Sequence, residues 1–348
     1  MFLKGLINLA DIDFYRECHQ CPRKCGVNRS TGSSGFCRES SDLRVAFAGL
    51  HFGEEPLITV FGGSGTFFFT GCTLRCAFCQ NYQISQDGLG RTVDSAEFAD
   101  ICLKLQAAGA ENINLVTGSH HIPTIAEYLR LARDKGVSIP FCWNSSAYES
   151  VEMLELLRGL VTIWLPDLKT LSSSFAGKLF AAPDYPATAT AAIRWMIENN
   201  PLEIKTIPEP PNAKPAEWAE AGQPRDKMLS GVIIRHLFMP GHFEETADVL
   251  GWLKENADGR AILSLMNQYT PVPFDEDDAQ LKVRSTALAS IENRLVTAQE
   301  DSDICDLIEA YDFDYLFYQE LTDDTSWLPD FRRPQPFSNK LATPVWHC

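Results

Sequence analysis

The chain has 348 residues, of which 45% are hydrophobic, and a formal net charge of −16. This length permits a large core and favours one main domain with small attachments. The negative charge argues against nonspecific binding to nucleic acid or anionic lipid, because that affinity comes from Lys and Arg that neutralise phosphates. No run reaches the roughly 18 apolar residues of a membrane helix, and the start MFLKGLINLADIDFY is unlike a signal peptide, so we expect a cytoplasmic protein.

Charge is unevenly distributed along the chain. Residues 1–44 carry seven Lys/Arg and five Asp/Glu, a balance of +2 that leaves −18 for the remainder. Eleven acidic residues and no basic one lie between Arg294 and Arg332. That acidic segment is either a solvated surface or a docking surface for a basic partner.

Four cysteines near the start form a Cys-x2-Cys-x3-Cys-x11-Cys set: Cys18, Cys21, Cys25 and Cys37. In a chain without an export signal, cysteines indicate metal ligation or catalysis rather than disulfides. The spacing fits a closed structural zinc site and differs from the tighter run of a bacterial ferredoxin. Structural zinc, a second iron–sulfur cluster and no metal all stay open, and Arg23, Lys24 and Arg29 would offset thiolate charge in either metal-bound case.

From residue 64 onward, short β-rich runs alternate with helical patterns, which is typical of βα units around a parallel sheet. The predicted strands lie within residues 65–71, 112–118, 139–145, 161–169, 231–241 and 261–269. Helices are predicted over 95–109, with Ser95 as a candidate N-cap, over 124–136 and over 242–259. The pattern predicts an α/β fold, a partial (β/α)6 TIM-like barrel whose functional groups lie where its strands end.

The remaining segments suggest how the chain is divided. Residues 204–227 hold five prolines and are predicted to form a long ordered loop, neither helix nor strand, on the side of the fifth strand away from the barrel mouth. This loop is either a structural spacer or a partner contact. We expect a Cys-rich metal-binding extension over 1–44, the barrel over 45–320 and a C-terminal tail over 321–348.

The stretch GCTLRCAFCQNYQIS places Cys72, Cys76 and Cys79 within eight positions. With 11 cysteines in 348 residues, a chance match of this kind is expected on the order of 0.01 times. Structural zinc normally takes four closed ligands, and this motif offers three. An iron–sulfur cube held by three thiolates instead keeps one iron with an open coordination position.

This Cys-x3-Cys-x2-Cys motif, with the aromatic Phe78 before its last cysteine, resembles the signature of the radical S-adenosylmethionine (SAM) superfamily. The segments GSGTFFFTGC, CQNYQIS and MNQYTP are similar to those of the activating-enzyme branch, which includes the pyruvate formate-lyase activating enzyme and its uncharacterised homologues. The resemblance covers most of residues 18–320.

The resemblance implies that SAM chelates the open iron of a 4Fe-4S cluster and that an electron from this cluster breaks the sulfonium C–S bond. The resulting 5'-deoxyadenosyl radical would abstract hydrogen, in the activating enzymes from a glycyl radical protein. Cluster potentials span roughly −700 to +450 mV, and this reduction needs the low end, so a flavodoxin or ferredoxin donor is implied. The protein itself would hold and orient the cofactor.

Positions at two predicted strand ends follow from the resemblance. Family members bind the methionine amino group at a Gly-Gly-Glu-like turn after the second strand. Here the turn is VTGSHH, which lacks the Glu, so Gly118 and Ser119 are expected to act through backbone groups. The Asp-Thr pair that ends the third strand of activating enzymes is matched by Asn144 and Ser145, with altered charge.

The fourth and fifth strands carry the charged candidates. The family's Asp-x-Lys is matched by Asp167 and Lys169, for which Lys169 is expected to pair with the methionine carboxylate and Asp167 with a ribose hydroxyl or a cation. The alternative is a salt bridge that caps the barrel. Arg235 is a further cofactor-binding candidate, but it alternates with His236, and the sequence leaves open which of the two faces the barrel interior.

The sequence thus favours a radical SAM oxidoreductase that resembles an activating enzyme. A non-enzymatic module, with structural zinc in both cysteine sets and an acidic docking surface, is the alternative. The expected partners are a low-potential electron donor and a substrate that is itself a protein.

Overall fold

A computed structural model describes residues 14–211, 222–274, 281–338 and 340–348. The strands in these ranges are β1 (Arg44–His51), β2 (Ser64–Phe69), β3 (Arg91–Thr92), β4 (Ile113–Val116), β5 (Phe141–Ser145), β6 (Val161–Pro166), β7 (Glu203–Ile207), β8 (Arg225–Leu237), β9 (Ile262–Met266), β10 (Leu316–Gln319) and β11 (Ala342–His347). The helices are α1 (Pro56–Thr59), α2 (Tyr82–Ser85), α3 (Ser95–Ala107), α4 (Ile122–Asp134), α5 (Val151–Leu154), α6 (Ser173–Phe180), α7 (Tyr185–Asn199), α8 (Phe243–Asn256), α9 (Leu281–Leu288) and α10 (Ala298–Tyr311). In this part of the chain no helix is long and apolar enough to cross a bilayer. Residues 1–13, on which the expectation about a signal peptide depends, lie outside these ranges.

One sheet runs in the order β10-β9-β8-β6-β5-β4-β2-β1-β11. The six predicted strands are β2, β4, β5, β6, β8 and β9, and each neighbouring pair among them is parallel. β10 adds a further parallel strand beside β9, while β1 pairs antiparallel with β2 and β11 antiparallel with β1. The predicted α/β fold with an open, mostly parallel barrel-like sheet is confirmed.

Side chains that alternate along the strands separate two apolar layers. On β8, Val232 and Ile234 pack in the large cluster that also contains the apolar faces of the helices. The intervening Ile233 packs in a smaller cluster with Leu57 and Ile58 of α1. Because β1 runs antiparallel to β2, α1 follows β1 at the N-terminal ends of the parallel strands and closes that end of the barrel.

Three details differ from the expectations. The proline-rich stretch was expected to form no strand, but residues 203–207 and the start of β8 form an antiparallel hairpin; residues 212–221 lie outside the described ranges. Helix α3 is capped by the Asp94 carboxylate, which accepts a hydrogen bond from the Glu97 N–H at 2.8 Å, and Ser95 is its first residue. Residues 321–348 contribute β11, which joins the sheet edge.

Candidate metal centre and cofactor site

The three-cysteine motif forms a loop directly after β2, at the end of the sheet where parallel strands finish. Cys72 and Cys76 are buried and Cys79 is half-buried. The Cys72 sulfur accepts hydrogen bonds from the backbone N–H groups of Leu74 at 3.3 Å and Arg75 at 3.5 Å. These two donors hold the sulfur in a fixed position, as hydrogen bonds to a metal ligand commonly do.

Electrostatics around the loop favour a bound cationic group. Burial raises the pKa of the Cys76 thiol well above its usual range, the Lys169 ammonium opposes this rise, and the nearby Cys72 and Cys79 thiols add to it. Burial also raises the pKa of Cys79. A metal would supply the positive charge that these buried thiolates need.

The thiols fit a cluster better than a single ion. Within the described ranges, no three His, Cys, Asp or Glu side chains are placed to hold one metal ion. In an iron–sulfur cube, each thiolate binds a different iron, so its ligands need not meet around one point. The donor set of Cys72, Cys76 and Cys79 therefore fits the cluster that the sequence predicts.

Asp167 and Lys169 lie beside this loop, at the end of β6. The Lys169 ammonium is 2.6 Å from the Asp167 carboxylate, and both side chains are partly exposed. The Tyr185 hydroxyl accepts from the Lys169 N–H at 2.9 Å and donates to the Asp167 carbonyl at 2.7 Å, so it fixes this turn. Burial acts against the charged lysine, but Asp167 and Cys76 together raise the pKa of Lys169. The structure thus brings the pair and Cys76 together.

Asn144 and Ser145 connect the ends of three neighbouring strands. The Thr117 N–H donates to the Asn144 carbonyl at 2.9 Å, and the Asp167 N–H donates to the Ser145 carbonyl at 2.8 Å. Asn144 follows Cys142 on the inner face of the sheet. The two residues therefore lie at the barrel mouth between the second and fourth predicted strands.

Gly118 and Ser119 have structural partners. A Cβ on Gly118 would lie 2.7 Å from both the Trp143 ring and Ile125, so only glycine fits there. The Ser119 hydroxyl donates to Glu149 Oε1 at 2.5 Å. The space beside Gly118 and the hydroxyl of Ser119 are therefore both already occupied by protein groups.

Glu149, in the loop after β5, is a candidate that the sequence analysis missed. It is 1% exposed, and burial raises its pKa. Oε1 also accepts from Trp143 Nε1 at 3.4 Å, while the buried Oε2 has no hydrogen-bond partner among the described residues. A single acid in NSSAYES carries no periodic signal, and one of its partners, Ser119, comes from the loop after β4.

Arg235 faces the barrel interior and His236 faces the helices. Arg235 donates to Glu55 at 2.8 and 2.7 Å and also to Glu54. His236 bonds the Leu168 carbonyl through Nδ1 at 2.7 Å and the Thr246 hydroxyl of α8 at 2.9 Å. The orientation that the sequence left open is thereby settled.

The buried acids Glu54 and Glu55 were also missed by the sequence analysis. Burial favours the neutral form of Glu55, but the Arg235 guanidinium lowers the pKa of this carboxyl. Asn114 donates to Glu54 Oε1 at 3.0 Å from β4, which extends the network across the interior. The adjacent acids in GEEP are visible in the sequence. Whether their side chains point into the barrel depends on how the chain turns after β1, which the sequence does not show.

Phe78 packs between two aromatic rings near the cysteine loop. Its ring centroid is 6.0 Å from that of Phe180 and 6.2 Å from that of Tyr269. Phe78 is half-buried, so part of it is available to a ligand. It therefore forms one wall of the mouth.

The N-terminal cysteines lie near one another, but among the described residues no three of them are placed to hold a single metal ion. Cys18, Cys21 and Cys37 are buried, and Cys25 is exposed. The Cys18 N–H donates to the Val27 carbonyl and the Gly26 N–H to the Cys18 carbonyl, each at 3.0 Å, which closes a tight loop. Burial, and more weakly the other three thiols, raises the pKa of Cys21 to about 12.

Comparison with known proteins identifies the domain. Residues 66–204 match the family model of the radical SAM superfamily. Over these residues the chain is similar to the radical SAM domain. This match spans the cysteine loop and β2 to β7, and it implies SAM and a 4Fe-4S cluster as cofactors. The match supports an enzyme that uses radical chemistry.

Three further proteins are similar to this chain. The uncharacterized protein MJ0674 of Methanocaldococcus jannaschii is 29% identical over 314 residues, which cover 88% of this chain and 78% of that protein. Streptococcus suis SuiB bound to precursor peptide SuiA aligns with a TM-score of 0.47 and 12% identity, over 72% of this chain and 46% of SuiB, so the chain spans about half the length of SuiB. A domain of the pyruvate-formate lyase-activating enzyme from Bacteroides vulgatus aligns with a TM-score of 0.35 and 11% identity, over 57% of this chain and 92% of that domain.

Proposed function

We propose that this radical SAM protein is an oxidoreductase like the activating enzymes, which takes a hydrogen atom from a glycyl radical protein. The observation that carries the proposal is the three-cysteine loop at the barrel mouth, with Asp167 and Lys169 beside Cys76. The segments GSGTFFFTGC, CQNYQIS and MNQYTP support the activating-enzyme branch. The family match favours this enzymatic interpretation over a non-enzymatic zinc module.

Cys72, Cys76 and Cys79 would hold the cluster. When bound, the cluster supplies the electron that splits the C–S bond of SAM and yields a 5'-deoxyadenosyl radical. Backbone N–H groups hold the Cys72 sulfur in position. Burial of Cys72 and Cys76 keeps water away from their sulfurs.

The strand ends would bind SAM. Lys169 supplies a cation for the methionine carboxylate, and Asp167 accepts a hydrogen bond from a ribose hydroxyl. The Lys169 side chain is 18% exposed and the Asp167 side chain is 25% exposed, so a ligand reaches both without unfolding the turn. Asn144 and Ser145 offer groups on the neighbouring strand end.

The other predicted cofactor residues would shape the cavity. Gly118 and Ser119 serve through backbone groups, since their side-chain positions are already filled. Phe78 provides a wall near the reacting groups. Arg235, held by two carboxylates, forms a polar floor below the strand ends.

The surrounding assignments belong to the same proposal. Residues 1–44 form a metal-binding extension whose four thiolates hold zinc or a second cluster, residues 45–320 form the barrel, and residues 321–348 form the C-terminal segment. The electron donor is a flavodoxin or a ferredoxin. The enzyme works in the cytoplasm, without binding nucleic acid or membrane.

A search for the product radical tests the substrate assignment. The reconstituted, dithionite-reduced enzyme is incubated anaerobically with SAM and cell extract, and the mixture is examined by electron paramagnetic resonance. We expect a new protein-bound radical that requires both SAM and enzyme. An extract that consumes SAM but yields only small-molecule products would overturn the proposed protein substrate.

A further inference from the structure

The four-cysteine segment is packed directly on the cluster loop. Arg23, between Cys21 and Cys25 in sequence, donates from Nε to the Thr73 carbonyl at 2.9 Å. Gly71 has a φ of +83°, and a Cβ there would lie 3.0 Å from the Cys37 carbonyl oxygen. The residue before Cys72 therefore touches the last cysteine of the N-terminal set.

Arginines from both segments meet at the Phe36 ring. The Arg23 guanidinium lies 3.8 Å from the ring centroid and that of Arg75 lies 5.9 Å away. Arg75 also donates to the Phe36 carbonyl at 3.5 Å. Arg38 belongs to the same turn, because its backbone N–H donates to the Gly35 carbonyl at 3.1 Å.

The same group includes the exposed cysteine. The Phe36 N–H donates to the Cys25 sulfur at 3.4 Å, and Lys24 precedes Cys25 in the chain. Lys24 and Arg38 are both exposed. We refer to four residues around Phe36 and Cys25 as the basic rim: Arg23, Lys24, Arg38 and Arg75.

The basic rim contrasts with the rest of the molecule. Residues 1–44 have a balance of +2, while the whole chain has −16. Glu39, the acid closest to the rim in sequence, is buried and lies 3.3 Å from Arg44. The exposed Glu17 lies 3.9 Å from His19, and Asp42 is also exposed. A negatively charged partner would be repelled by most of the protein but attracted to the rim.

We propose that the basic rim is the docking surface for an acidic protein that donates single electrons to the radical SAM centre. The proposal rests on the proposed function, which requires a low-potential reductant. A local patch of opposite charge raises association rates by about 10 to 10³. The donor gives up one electron to the group held by the three motif cysteines, and no bond or proton moves. The path from the rim passes through Phe36, Cys37 and Gly71 to Cys72.

A pair of charge-reversed variants tests the docking surface. The test variant is Arg38→Glu, and the control is Lys104→Glu, which makes the same charge change on the exposed surface of α3. Arg38 has a φ of 63°, so the exchange of one side chain for another leaves backbone strain unchanged. Binding of oxidised flavodoxin is measured by calorimetry at low and high salt. SAM cleavage is driven either by reduced flavodoxin or by dithionite.

We expect the rim variant to bind flavodoxin about tenfold more weakly than wild type at low salt, with a smaller difference at high salt. Its apparent KM for flavodoxin should rise by a similar factor, while its dithionite-driven rate and the control variant stay unchanged. Wild-type binding by the rim variant, or equal weakening in the control, would overturn the docking surface. If wild type forms no 5'-deoxyadenosine with dithionite, the proposed function fails, and the calorimetry still decides whether the rim docks an acidic carrier.

Discussion

Replacement of Lys169 by Met tests how the barrel mouth binds SAM. The exchange removes the ammonium but keeps most of the side-chain volume. The turn should survive, because the Tyr185 hydroxyl holds the backbone of Asp167 and Lys169 at 2.7 and 2.9 Å. The backbone of Asp167 also remains paired with that of Arg235 on the neighbouring strand β8. The variant should therefore fold and retain its cluster.

The expected loss is one charge-assisted hydrogen bond to the methionine carboxylate. Such a bond contributes about 1.5–3 kcal/mol, so the Kd for SAM should rise about ten- to a hundredfold. The assay is a titration of SAM against the reduced cluster, followed by electron paramagnetic resonance. Lys104→Met, on the exposed surface of α3, is the control and should bind like wild type. A Kd for Lys169→Met within about twofold of wild type, with full iron content, would reduce the Asp167–Lys169 pair to a salt bridge that caps the barrel.

Three further predictions follow from single residues. Gly71→Ala should lose cluster occupancy, measured as iron content, because the new Cβ would lie 2.4 Å from the Glu39 side chain. The control Gly32→Ala has a similar φ and no atom within 4 Å, so it should keep its iron and lose only about 1–2 kcal/mol of stability to backbone strain, seen in the melting temperature. Cys18→Ser should clearly lower the melting temperature and largely preserve dithionite-driven SAM cleavage per folded molecule, because a metal site stabilises a segment that has little core of its own. A variant that stays stable but loses electron delivery would instead indicate a second cluster. Burial lowers the pKa of His236 to about 4 in the folded protein, so the free energy of unfolding should fall as pH drops below the unfolded pKa of about 6.5, by about 2 kcal/mol at pH 5. Denaturation of wild type and His236→Gln at pH 7 and pH 5 measures this loss, and an equal loss in both proteins would contradict the assignment.

The strands and the cysteine loop were predictable because their signals are local. Buried parallel strands produce short apolar runs between helical patterns, and all six were found in this way. The motif cysteines have fixed spacing, which does not depend on the rest of the fold. The orientation of Arg235 was not predictable, because alternation along β8 defines two faces without saying which one is interior.

Contacts between distant segments could not be read from the sequence. Ser119 and Glu149 are thirty positions apart and meet only because β4 and β5 are neighbours. The contact of Gly71 with Cys37 likewise depends on how the N-terminal segment folds back on the loop. The glycine before Cys72 is visible in the sequence, but the reason for it is tertiary.

The central claim is that Cys72, Cys76 and Cys79 support reductive cleavage of SAM. The most direct measurement is the amount of 5'-deoxyadenosine that anaerobically reconstituted, dithionite-reduced protein forms from SAM, compared with a variant in which these three cysteines are replaced by Ala. We predict slow but clear formation by wild type without added substrate, and none by the variant at equal folded concentration. Equal formation by both proteins, or none by a wild type with a full complement of iron and sulfide, would contradict the account.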